Sequence, residues 1–207
     1  MKQLELRWHG HACFSLTYDG YTVVFDPYED NYVPGFAPLD LEADLVLCSH
    51  QHKDHNAAHV VRMREGKENP FIITPIETFH DPAQGELRGK NTIYLLEAGG
   101  MRVAHFGDLG CELTEQQIDR LYGLDAAMIP VGGFFTIDAA QAKTIVDQIK
   151  PKVMIPMHYR MDHIGLPVVT EVTDFLELVE DHVYYPTNTL IINEGTKPQI
   201  AVLSYTP

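Results

Sequence analysis

The chain has 207 residues, 45% hydrophobic and 21% charged, with 15 Lys and Arg against 29 Asp and Glu, a formal net charge of −14. This is ordinary globular composition, which excludes a disordered chain, and the length suits a single domain spanning residues 1–207. So large an acidic excess, with no run of Lys or Arg, repels phosphate backbones and sets nucleic acid aside as a partner.

Taken in chain order, alternating apolar residues predict strands over Leu4–Trp8, Cys13–Tyr18 and Tyr21–Phe25, with Asp19-Gly20 as a two-residue hairpin turn. A loop rich in Pro, Gly and aromatics follows from Pro27 to Leu39, long enough for a functional flap or an ordered structural loop. Asp44–Cys48 is a continuous apolar run that suits a strand buried on both faces, and after a His-rich loop a helix is predicted from Ala57 to about Arg64. Strands are predicted at Phe71–Thr74, Thr92–Leu96, Met101–Phe106, Ala126–Ile129 and Val153–Pro156, and near the end at Leu190–Ile192 and Ile200–Leu203. Thr114 with Gln117 makes a capping box for a helix through Leu121, and Asp138 caps a helix whose Ala142, Ile145, Val146 and Ile149 share an apolar face. A last helix from Thr170 would bury Val172, Phe175, Leu176 and Val179. Hairpins first and strand–helix alternation later favour a layered α/β architecture.

Cys13, Cys48 and Cys111 are too few and scattered for a disulfide framework. The amino terminus has no apolar leader and no apolar run reaches membrane length, so a cytoplasmic protein without membrane contact is expected.

The chemistry concentrates in Ser49-His50-Gln51-His52-Lys53-Asp54-His55. Three imidazoles and a carboxylate in six residues make a poor core, because each buried polar group needs a partner and clustered imidazolium ions repel. A divalent cation answers both problems; a solvated surface cluster is the alternative. On an extended segment His50 and His52 point the same way and can share one ion, while Asp54 and His55, past the turn, can face a second position.

The pattern His-x-His-x-Asp-His after an apolar strand resembles the metallo-β-lactamase superfamily. Asp26-Pro27 looks like that family's early aspartate, Thr78-Phe79-His80-Asp81 its third histidine, Gly107-Asp108 its bridging aspartate and Pro156-Met157-His158-Tyr159 its last histidine segment. Pro130 to Asp138 is similar to a segment of the branch that includes ascorbate-6-phosphate lactonase. The resemblance covers roughly residues 4 to 160. It implies a four-layer αββα sandwich with His50, His52 and His80 on one metal, Asp54, His55 and His158 on a second, and Asp108 bridging. His163 competes with His158, and His80 or Asp108 could be plain loop residues. Asp26 and His105 would lie behind the ligands, and His9 and His11 would pack or hydrogen-bond near the site without ligating.

The implied function is a metal-dependent hydrolase, with two divalent ions sharing a hydroxide that attacks a small ester, lactone or phosphorylated metabolite, and with Asp54 orienting that nucleophile. Nitrogen and oxygen donors suit Zn²⁺ and also permit Mn²⁺ or Fe²⁺. His52, where flavodiiron relatives usually carry Glu, argues against redox chemistry. Tyr28, Tyr32, Phe134, Phe135 and Arg160 are candidate substrate contacts, Arg160 being the one placed to grip an anion. Phosphodiester hydrolysis of a small nucleotide or phospholipid head group, and non-catalytic metal binding, are the alternatives.

Overall fold

Period-two patterning builds one sheet and the later apolar runs build another. In the computed structural model, which describes residues 2–206, β1 (Gln3–Gly10), β2 (Cys13–Tyr18) and β3 (Tyr21–Phe25) form an antiparallel meander. Asp19 and Gly20 take φ of 50° and 74°, the two positive values a type I′ turn requires. Short β4 (Leu41–Ala43) follows, and then β5 (Leu45–Leu47), which pairs with β3 in parallel. β6 (Val61–Met63) pairs with β4.

The second sheet begins with β7 (Ile72–Phe79), β8 (Lys90–Ala98) and β9 (Met101–His105), which are antiparallel. It continues in parallel through β10 (Ala126–Pro130) and β11 (Val153–Met157). β12 (Val183–Tyr184) and β14 (Gln199–Val202) complete the order β12-β14-β11-β10-β9-β8-β7. β13 (Thr189–Asn193) crosses to pair with β1, so the first sheet reads β13-β1-β2-β3-β5.

One apolar core joins the facing sides of both sheets, from Leu6, Phe14 and Val23 to Ile93, Val103 and Met128. Every residue of β10 and β11 is buried, which is why they read as unbroken apolar runs. Helices α1 (Glu115–Leu121), α2 (Ala139–Ile149) and α3 (Val172–Leu176) cover that sheet's other face, α2 through Ala142, Ile145 and Ile149. The expected capping box forms at Thr114 with Gln117, and the expected Asp138 cap is itself a box, with Gln141. The first sheet is covered differently. The loop from Pro27 and the β4–β6 pair pack a second cluster (Val24, Tyr28, Val33, Phe36, Ala43, Val61) on it, while β1 keeps an exposed–buried alternation. None of the helices among the described residues is long and apolar enough to cross a membrane.

Four element expectations are corrected. Residues 57–64 are a 3₁₀ turn (Ala58–Val60) followed by β6, because Val61 to Met63 find a strand partner in Leu41 to Ala43. Branched Val60 and Val61 favour that pairing over a helix. β5 is an edge strand and only half-buried, so its apolar run does not mean burial on both faces. β7 runs on through Pro75 to Phe79; as an edge strand it needs no ladder hydrogen bond from Pro75. The last helix is also shorter than expected, with Val172 and Val179 only partly buried.

Within the first sheet β1, β3 and β5 share one direction, and within the second β7, β9, β10 and β11 do. Their carboxyl ends lead into His11, Asp26, the His50 loop, His80, Asp108 and His158. The two edges are stitched together there, where the His158 amide donates to the His11 carbonyl (3.2 Å) and the Thr92 amide to the Ser49 carbonyl (3.0 Å).

Candidate metal centre

Asp108 sits where the donors meet. One of its carboxylate oxygens lies 3.1 Å from His55 Nε2; the other lies 3.2 Å from His80 Nε2, 3.3 Å from His158 Nε2 and 3.8 Å from His50 Nε2. Two ligand groups flank it. His50, His52 and His80 offer donor atoms within 4.8 Å of one another, and so do Asp54, His55 and His158 together with His11. All are buried except His52, which opens to solvent. His163, by contrast, is an exposed neighbour of Asp162.

Behind the donors, Asp26 fixes two rings at once. Its carboxylate accepts from the Ser49 amide (2.7 Å), the Ser49 hydroxyl (2.6 Å) and His55 Nδ1 (2.8 Å). Because the Ser49 proton goes to Asp26, Ser49 Oγ can only accept from His50 Nδ1, 2.9 Å away. Both rings thus donate through Nδ1 and turn Nε2 inward. His105 is spent elsewhere: Nε2 donates to the Ala12 carbonyl (2.8 Å), Nδ1 accepts from the Gly107 amide (3.1 Å), and the ring stacks on Phe25.

This arrangement fits a cation. Nε2 of His50, His55 and His158 and Oδ1 of Asp108 are buried without a hydrogen-bond partner. Burial, then the neighbouring His55 charge, pushes His50 down to about 3, so it offers a neutral ring. Burial also opposes charge on His55, but Asp108 and Asp54 outweigh it and hold the ring protonated well above its usual range. A metal ion would supply the same positive charge and satisfy the lone pairs together.

Local backbone is bent to make this cluster. His11, Asp26 and His158 adopt left-handed φ of 52°, 45° and 55°, unusual for residues other than glycine. At Gly107 (φ 54°) a Cβ would lie 2.3 Å from Asn91 Oδ1 and 2.4 Å from Ser49 Cβ, so the turn carrying Asp108 needs glycine. Buried Asn91 secures that turn, accepting from the Asp108 amide (2.9 Å) and donating to Thr78 Oγ1 and the Phe106 carbonyl.

His11 stands closer than a packing role requires. Its Nε2 is 3.2 Å from Asp54 Oδ2 and its ring centroid 4.1 Å from that of His158. The signal in the sequence is its place at the end of β1, the topological equivalent of Asp26 at the end of β3.

A cleft of about 470 Å³ opens over the cluster, walled by Tyr32, Arg88, Phe135 and Leu166. Tyr32 and Phe135 lie where substrate contacts were expected. Tyr28 does not: its ring is buried and its hydroxyl donates to the carbonyls of His9 and Ala37. Arg160 is turned away, paired with Glu171 at 3.0 Å and bonded to the Asp162 carbonyl. Phe134 is exposed beside the cleft, edge-on to Phe135. Arg88, which no motif marks, takes the wall position. Asp81 anchors its loop, accepting amides from Ala83, Gly85, Leu87 and Arg88 at 2.7–3.1 Å.

Comparison with known proteins agrees with this geometry. Residues 5–158 match the family model described as a beta-lactamase superfamily domain. A protein of Thermoplasma acidophilum named UPF0173 metal-dependent hydrolase Ta0764 is 31% identical over 191 residues, 77% of this chain and 84% of that one. A second protein named UPF0173 metal-dependent hydrolase, from Hyperthermus butylicus, is 26% identical over 228 residues, 92% and 96% of the two chains. A crystal structure from Thermotoga maritima, titled as a candidate Zn-dependent hydrolase of the metallo-β-lactamase superfamily, superposes with TM-score 0.78 at 33% identity, covering 98% of this chain and all of that one. With that fold, those strand-end ligands and those relatives, the chain belongs to the metallo-β-lactamase superfamily, among proteins named UPF0173 metal-dependent hydrolases.

Proposed function

We propose that the protein is a hydrolase that binds two divalent ions, Zn²⁺ before Mn²⁺ or Fe²⁺, and cleaves a small ester, lactone or phosphorylated metabolite. The observation that supports this best is Asp108, placed between two sets of donors, with Nε2 of His50, His55 and His158 buried and without partners. His50, His52 and His80 would hold one ion and Asp54, His55 and His158 the other, with Asp108 shared. Ions bound there would supply an acidified water, with a pKa lowered from 15.7 to about 7, and polarise the scissile group.

The chain's own residues do the rest. Asp26 and Ser49 keep His50 and His55 in the tautomer that presents Nε2. Asp54, a carboxylate held ionised against burial by His55 and His11, orients the attacking water and takes its proton. Tyr32, Phe135 and Leu166 narrow the cleft around a small substrate. Three free cysteines are in keeping with a reducing cytoplasmic setting.

Elemental analysis of wild type and His52→Ala, followed by lactone, ester and bis-p-nitrophenyl phosphate assays on zinc-loaded protein, tests this reading. Two ions per wild-type chain, fewer in the variant, with ester or lactone turnover that the variant loses, is the expected result. Zinc-free protein after loading, or undiminished turnover in His52→Ala, would overturn it.

A further inference from the structure

The cleft lies over Asp54 and Asp108 in a chain of net charge −14, so a fixed side-chain cation on its wall, apart from the His/Asp cluster, decides where an anion away from that cluster could bind. Arg88 is the one Lys or Arg among the residues lining it. Its guanidinium is uncommitted: one N–H donates to the Phe134 carbonyl at 3.1 Å, and its carbon stands 5.7 Å from the Phe135 ring centroid. Arg62, Arg64, Arg102 and Arg160 each hold a carboxylate, whereas Arg88 has none within 4 Å among the described residues. An arginine has five donors in a planar fork, so most of its capacity faces open space beside the metal cluster.

The protein also holds this side chain in place. Asp81, buried and next to His80, ties the turn amides of Ala83, Gly85, Leu87 and Arg88, and the Gly89 carbonyl accepts from the His80 amide at 3.0 Å. The loop carrying Arg88 is therefore braced against the ligand segment itself. Phe135, whose ring the guanidinium faces, and Leu166 add apolar surface to the same cleft.

We propose that Arg88 is the anion-gripping residue of the cleft, and that the substrate is a small ester or lactone carrying a carboxylate or phosphate away from its scissile bond. This rests on the hydrolase reading above: the scissile group would lie over Asp108, the chain of the substrate along Phe135 and Leu166, and the anion on the guanidinium fork.

Two measurements on the zinc-loaded protein test it. The first is KM and kcat for mono-4-nitrophenyl succinate and for neutral 4-nitrophenyl butyrate, in wild type, Arg88→Gln and Arg88→Lys with equal metal content. Arg88→Gln is expected to raise KM for the succinate ester roughly 10- to 100-fold, leave the butyrate ester within about twofold, and Arg88→Lys to fall between. Equal effects on both esters, or none, would overturn the assignment. The second is calorimetric binding of succinate and of phenyl phosphate, which needs no turnover and separates carboxylate from phosphate as the preferred anion. If neither ester is cleaved, the hydrolase reading fails on its own, while a tenfold affinity loss in Arg88→Gln still supports the anion site. Unchanged affinity for both anions would remove it.

Discussion

At the residue scale, the site depends on groups that touch donors as much as on the donors. Asp26 settles the tautomers of His50 and His55, and His11 does comparable work on Asp54 from the far side. With the hydrogen bond to Asp54 at 3.2 Å removed, the carboxylate is free to rotate out of the position it shares with His55 and His158. His11→Ala is therefore expected to weaken the second ion about 10- to 100-fold while the ion at His50, His52 and His80 stays tight. A zinc competition titration resolves the two; two sites as tight as in wild type would exclude this role for His11. Four of the seven expected ligands stand together in residues 50–55, but His11, Ser49, Asn91 and Asp81 act through hydrogen bonds made across 43, 23, 17 and at most 7 residues respectively. No local spacing marks the long-range ones.

At the element scale, strand ends position the chemistry and helix caps secure the layer behind it. In α2, Asp138 accepts the Gln141 amide at 2.8 Å and Gln141 returns the bond to the Asp138 amide at 3.0 Å. This box follows the Gly132–Ile137 turn that carries Phe134 and Phe135 to the cleft. Asp138→Ala should cost about 1 kcal/mol, read as a lower urea midpoint at unchanged m-value; a midpoint equal to wild type would show the box to be redundant. The first hairpin, the capped helices and the strands at 126–129 and 153–156 were legible because each is written in local period and local hydrogen bonding. Residues 57–64 were not, since their partner, β4, lies about twenty residues back and the pairing outweighs the local pattern.

At the scale of the whole molecule, the candidate metal centre lies between two sheets. His11, Asp26 and the His50 loop come from one sheet, and His80, Asp108 and His158 from the other. Ions bound there would cross-link the two and favour the folded state only. At a free-ion concentration a hundredfold above Kd the stabilisation is about 2.7 kcal/mol. For a chain of this length that is roughly 5–10 °C in Tm. Thermal unfolding with zinc and after chelation checks this; coincident melting curves would argue against ligands drawn from both sheets.

The sequence by itself determined the fold class and the metal-dependent hydrolase family and pointed to the His and Asp residues that the fold gathers, because a dense His/Asp motif after an apolar strand has few other physical solutions. Tertiary structure alone decided what surrounds them. It turned Arg160 onto Glu171, buried Tyr28 under its own loop, and brought Arg88 to the cleft on a turn anchored by Asp81. Ligand identity follows from residue type and short spacing; which side chain faces the substrate depends on how loops from two sheets close over one edge, and that is set by long-range packing.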